Sequence, residues 1–127
     1  MKLYLLFSHS LTPEQMADAR RSLGVEEFVS LPEDLQQRFS NIPPDIDDLN
    51  EYLTPVYDWI GEHANELDYF LVQGDFGATY KIVDFIKSFN YGIPVYATTA
   101  RQSVDETQPD GSVVTQRIFK HQCFREY

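Results

Sequence analysis

Tyr69-Phe70-Leu71-Val72-Gln73-Gly74-Asp75-Phe76-Gly77-Ala78-Thr79-Tyr80 is the stretch that decides the fold. Its first part, YFLVQ, is a short apolar run of buried-strand character. A Gly-containing turn follows, and a helical pattern starts near Ala78. Strand, glycine turn and helix together make an anion-binding device. Glycine lets backbone approach a ligand closely, and the first helical turn presents unpaired N–H groups at the positive end of the helix dipole. The G-x-x-G spacing is neither the dinucleotide G-x-G-x-x-G nor the phosphate-loop G-x-x-x-x-G-K-[ST]. It indicates a phosphate without naming a nucleotide, and it equally describes a plain turn closed by a polar cap.

Outward from this turn, the same alternation recurs. Leu3 to Phe7 reads as a buried opening strand, followed by Ser8, His9 and Ser10. Thr12, Pro13 and Gln15 predict a capping box at a helix start. Met16, Ala19 and Leu23 share its buried face, and Gly24 ends it. Glu26 to Leu31 predicts a second strand. Pro32 to Pro44 is a long connection with a short helix through Leu35 and Phe39. Asp45 or Asp47 is expected to cap an amphipathic helix carrying Leu49, Tyr52, Leu53, Val56, Tyr57 and Ile60. Pro55 is expected to kink or restart that helix, with Thr54 as a new cap. Ile82, Val83, Phe85, Ile86 and Phe89 mark the next helix, with Asn90 and Gly92 at its end, before a fourth strand at Ile93 to Thr98.

After Thr99 the pattern changes. Arg101 to Thr107, a turn at Pro109-Asp110-Gly111-Ser112, and Val113 to Phe124 read as a C-terminal β-hairpin. Its alternation places Arg117, Phe119, His121, Cys123 and Arg125 on one face, and Ile118, Lys120 and Phe124 on the other. The whole predicts one α/β domain over residues 1–127, Rossmann-like, with a mostly parallel sheet and right-handed crossovers. In such sheets the ligand sits beyond the carboxyl ends of the strands, at the switch point. With the first and third strands as neighbours, Ser8, His9 and Ser10 face Gln73, Gly74, Asp75 and Gly77 across that crevice.

Composition narrows the function. The 127 residues carry a net charge of −10, which speaks against a general binder of long nucleic acid. The charge is uneven: residues 1–75 hold four Lys/Arg against fifteen Asp/Glu, and residues 76–127 hold six against five. A few cations in the second part suit a compact phosphate ligand on an otherwise acidic surface. Cys123 is the only cysteine, so no disulfide forms within the chain. No signal peptide or membrane span is legible, and the expectation is a cytoplasmic protein without membrane contact.

Among groups able to do chemistry, His9 directly follows the first strand. His121 shares a strand with Arg117, Lys120 and Arg125. His63 lies on a polar helix end and is set aside. No His or Cys stands at metal-ligand spacing, and neither metal nor cofactor is expected. Ser8 and Ser10 serve as donors to a phosphate or as caps. Asp75 would repel a phosphate; it accepts from a ribose hydroxyl or an adenine amino group, or fixes the turn. Thr79 donates from the first helical turn, and Arg101 reaches the crevice from beyond the fourth strand. The predicted catalytic set is therefore His9, His121 and Arg101. The predicted ligand contacts are Ser8, Ser10, Gln73, Gly74, Asp75, Phe76, Gly77, Ala78, Thr79 and Thr99.

The segments LFSHSLTPEQ, SLGVEEFVSLPE, SNIPP, VQGDFGATY, PVYATTAR and FKHQCFREY resemble a small CRISPR-associated family of type III systems, related to the CARF (CRISPR-associated Rossmann fold) domains. The resemblance runs over nearly the whole chain. It implies a ring nuclease of antiviral defence that binds cyclic tetra-adenylate and cuts it to linear diadenylate with 2′,3′-cyclic phosphate ends. It equally allows a protein that binds the ring without cutting it. The chemistry suits the residues: a ribose 2′-hydroxyl attacks its own neighbouring phosphorus, so alignment alone supplies up to roughly 7–11 kcal/mol. The cyclic ligand has rotational symmetry, which a two-fold homodimer would match.

Overall fold

The computed structural model describes residues 1–127. Nine elements follow in chain order: β1 (Lys2–Phe7), α1 (Pro13–Leu23), β2 (Glu27–Ser30), α2 (Glu33–Ser40), α3 (Asn50–His63), β3 (Tyr69–Gln73), α4 (Phe76–Ser88), β4 (Ile93–Thr107) and β5 (Val113–Glu126). They build one sheet in the order β2-β1-β3-β4-β5. The pairs β1–β2, β1–β3 and β3–β4 are parallel, and β5 runs antiparallel to β4. The mostly parallel α/β sheet and the C-terminal hairpin are thus as read from the sequence, and β1 and β3 are neighbours.

The two central strands are apolar on both faces because helices cover both. Tyr4, Leu6, Phe70 and Val72 face α2, α3 and α4 through Phe39, Leu53, Val56, Ile60, Ala78, Ile82 and Ile86. On the other face Leu3, Leu71 and Val95 pack on Ala19 of α1 and on Val25. Burial of each such aliphatic side chain contributes about 1.5–3 kcal/mol, so the three-helix face carries most of the hydrophobic stabilisation.

The local signals explain the boundaries. The Thr12 hydroxyl accepts from the Gln15 amide at 3.2 Å while the Thr12 amide donates to Gln15 Oε1 at 2.9 Å, a complete capping box. Gly24 sits at φ +69°, in the left-handed region that closes α1. α4 starts at Phe76, two residues before the expected Ala78, because the Asp75 carboxylate accepts from the Ala78 amide at 3.0 Å.

Four expectations are corrected. α3 is capped at Leu49 rather than at Asp45 or Asp47; the acid that reaches its first turn is Asp48, which accepts from the Asn50 amide at 2.9 Å. Pro55 lies inside α3 without interrupting it. The carbonyl it deprives of a donor belongs to exposed Glu51, which solvent can reach, and Thr54 donates back to the Asn50 carbonyl rather than starting a new helix. The predicted fourth strand and the first hairpin arm are one continuous strand, β4. The hairpin faces also differ from simple alternation. Ala97 pairs with Phe124 but Thr99 pairs with His121, so Thr98 faces both Gln122 and Cys123 in a β-bulge. The extra residue puts His121 and Phe124 on the same face, their rings 4.9 Å apart.

Candidate functional site at the carboxyl end of the sheet

β1 and β3 deliver their following loops to one end of the sheet, and α1 and α4 leave from there on opposite faces. At this end lies a cleft of about 740 Å³ beside the carboxyl ends of β1 and β2. Ser8, His9 and Ser10 line it together with Glu33, Gln36 and Ser40 of α2. Gln36 fixes the rim by donating to the Phe7 carbonyl at 3.0 Å and to Ser40 Oγ at 2.9 Å. His9 is exposed, its ring edge-on to Phe7 at 5.5 Å. Its ring nitrogens have no protein partner within hydrogen-bond reach, which leaves them open to a ligand.

The glycine turn does not line that cleft. Its donors and acceptors are largely spent within the turn: the Gly74 amide donates to Thr79 Oγ1 at 3.1 Å, and Asp75 caps α4. The Asp75 carboxylate places a negative charge over the helix N-terminus, where an anion would otherwise be favoured. A Cβ on Gly74 would stand 2.7 Å from Phe39 Cζ, so this glycine is required by the core beneath it. Ala78 is fully buried and offers no ligand contact. Phe76 is 95% exposed, and Gly77 is exposed beside it. Gln73 turns its Oε1 to the Ala97 amide at 2.8 Å and extends the β3–β4 ladder by one bond.

The other predicted residues separate from His9. Arg101 lies on the exposed hairpin with its guanidinium 5.4 Å over the Phe119 ring, and Thr99 is exposed at the hairpin's root. His121 is buried, its Nε2 2.7 Å from Asp18 Oδ2 of α1, while its Nδ1 has no partner. Of the predicted catalytic set, only His9 lines the cleft. Asp18 also accepts from Ser22 Oγ at 2.6 Å and from Arg21 at 2.9 Å. Burial pushes its carboxyl pKa up, but the bonds from Ser22 and His121 and the nearby charges of His121 and Arg21 bring it below the ordinary 3.8. His63 packs flat on Trp59, with Nδ1 2.8 Å from the Trp59 carbonyl, a structural place.

Asp18 and Gln36 were not singled out from the sequence. Asp18 left one trace there: an acid in mid-helix with Arg and Ser three and four positions on, a self-supplied set of donors. No group of three His, Cys, Asp or Glu side chains stands together as a metal site. No helix is long and apolar enough to cross a membrane.

The fold and the cleft define an open α/β sheet protein with a ligand-sized cleft at the carboxyl end and a hairpin beyond it. Within that class the chain belongs to the MJ1673 family, described as "Uncharacterized protein MJ1673 family", whose model matches residues 1–125. It is 52% identical over 126 residues to "Uncharacterized protein MJ1673" of Methanocaldococcus jannaschii, covering 99% of this chain and 96% of that protein. No solved structure gives a significant match.

Proposed function

We propose that the protein binds cyclic tetra-adenylate at the carboxyl end of its sheet and cleaves it to linear diadenylate, ending type III CRISPR signalling. The observation that supports this reading is the 740 Å³ cleft, lined by both polar and apolar side chains, with an unpartnered, exposed histidine among them. The ribose 2′-oxygen attacks the adjacent phosphorus, the bond to the 5′-oxygen breaks, and a 2′,3′-cyclic phosphate and a 5′-hydroxyl result. His9 takes the proton from the 2′-hydroxyl or gives one to the departing 5′-oxygen, a role worth about 10²–10⁴-fold in rate. Ser8 and Ser10 supply neutral donors to phosphate oxygens, while Gln36, its amide N–H groups spent on Phe7 and Ser40, holds the rim. A four-nucleotide ring exceeds one cleft, so a homodimer is part of the proposal.

One observation favours a second reading, a binder that does not cut. The cleft contains Glu33 and no Lys or Arg, and His121 is turned into the interior, leaving one proton-transfer group and little to stabilise phosphorane charge. Radiolabelled cyclic tetra-adenylate incubated with the protein and EDTA separates the two. Diadenylate is the expected product; recovery of intact ring bound to protein selects the second reading, and no binding removes both. His9→Ala is expected to lower the single-turnover rate by about tenfold or more with little change in affinity. Arg101→Ala weakens binding and rate together if Arg101 touches phosphate.

A further inference from the structure

Beyond Thr99 and His121 the strands β4 and β5 leave the body as a two-stranded ribbon. β3 pairs with β4 only as far as Val95, so both ribbon edges and both faces are open. The reach from Thr99 to Thr107 is roughly 25 Å at strand rise. Val104, Val114 and Ile118 are 43%, 44% and 43% exposed. A lone hairpin in water is marginal, and open edges with exposed β-branched residues are association surfaces.

The charges say what covers it. Arg101, Arg117 and Lys120 all lie in the half next to the body, and Asp105, Glu106 and Asp110 all lie in the tip half. No charge of the other sign interrupts either half. The ribbon is neutral overall in a chain of −10, so it is where two copies approach with least repulsion. Its acidic tip disfavours a polyanion. On the face that carries Ala100, Gln102 and Val104 this leaves Lys120 near the body and Glu106 near the tip, and a surface positive at one end and negative at the other is complementary to itself when turned through a two-fold axis.

The register makes this specific. Val95 packs on the α1 side, so Ala100, Gln102, Val104 and Glu106 point to the opposite side. Their cross-strand partners are Lys120, Ile118, Gln116 and Val114. A two-fold axis at the level of Ser103 and Arg117 sets level 100 over level 106 and level 102 over level 104. We propose that the ribbon joins two copies of this chain, with Lys120 of each against Glu106 of the other and Ile118 against Val104 between them. Beyond that overlap each tip runs back along the other copy's β4, on the side that carries the first turn of α4. This interface goes beyond the ligand reading and stands independently of it.

Sedimentation velocity without nucleotide tests it, from micromolar to hundreds of micromolar protein. Wild type is expected to dimerise. Lys120→Glu and Glu106→Lys each place like charges together and weaken association by about tenfold or more. The combined Lys120→Glu/Glu106→Lys chain restores it. Circular dichroism and melting curves confirm that the variants are folded. A wild type that stays monomeric, single variants that associate like wild type, or a folded combined variant that does not recover, each overturns the proposal. Because no nucleotide is present, these results are read apart from the cleavage assay.

Discussion

Asp18 and His121 lie 103 positions apart in the chain and meet at 2.7 Å. The bond ties α1 to the root of the ribbon through two buried side chains. Asp18→Ala leaves both nitrogens of a buried imidazole without a partner, and is expected to cost about 1–3 kcal/mol, read as a lower melting temperature. The Asp18 carboxyl is held below 3.8 in the folded protein. A depressed acid pKa contributes stability that is complete above the unfolded value and is lost as pH falls through the folded one. Melting temperature should therefore drop as pH falls below about 4, and Asp18→Asn should flatten that part of the profile. Beyond the Arg21 and Ser22 that follow Asp18 in α1, none of this was visible in the sequence. Strand alternation put His121 beside Arg117 on a ligand face; a bulge two residues on and a partner on a distant helix decided otherwise. His9 was legible because its place follows from a single rule, that ligands gather where strands end.

The two glycines of the turn after β3 read alike in sequence and differ in structure. A Cβ on Gly74 meets the Phe39 ring at 2.7 and 3.0 Å, and that ring is only 1% exposed. Gly74→Val is expected to destabilise by about 1–3 kcal/mol. At Gly77 the nearest atom is the tip of Leu49 at 3.2 Å, which a rotamer change relieves. Gly77→Val should melt within a few degrees of wild type, so that any fall in ligand-induced stabilisation reports on binding rather than folding. An unchanged ligand shift would assign the turn to packing alone. Elements with strong local signals were legible: the Thr12 box, the left-handed Gly24 and the apolar run of β3 lie where propensity put them. Pro55 misled because its cost near an exposed helix end is small. The cap of α3 misled because three nearby acids, Asp45, Asp47 and Asp48, compete for one role and only the last lies next to the helix.

At the scale of the whole molecule, stability is unevenly spread. β1 and β3 are sealed between helices, while the ribbon carries only its own ladder. Amide hydrogen exchange should be slowest at Leu5, Leu71 and Val72 and orders of magnitude faster from Gln102 to Gln116 in dilute protein. Protection of the ribbon that rises with concentration would mark its association, and ribbon amides as slow as the core in a monomer would contradict this division. The overall α/β order was legible because alternating strands and helices admit few topologies. The ribbon's length was not, since its residues carry no buried pattern to distinguish a long strand from a loop and a short one. Thr98 closes the bulge at the ribbon's root, its hydroxyl accepting from the Cys123 amide at 3.1 Å and facing the Cys123 carbonyl at 3.2 Å. The supernumerary residue bends and twists the strand, so the direction in which the ribbon leaves the body is written as chain length rather than as side-chain chemistry. A substitution at exposed Gln122 leaves that direction intact. Loss of Gln122 by deletion keeps every cross-strand partner on either side of it, yet swings the far end to a new bearing.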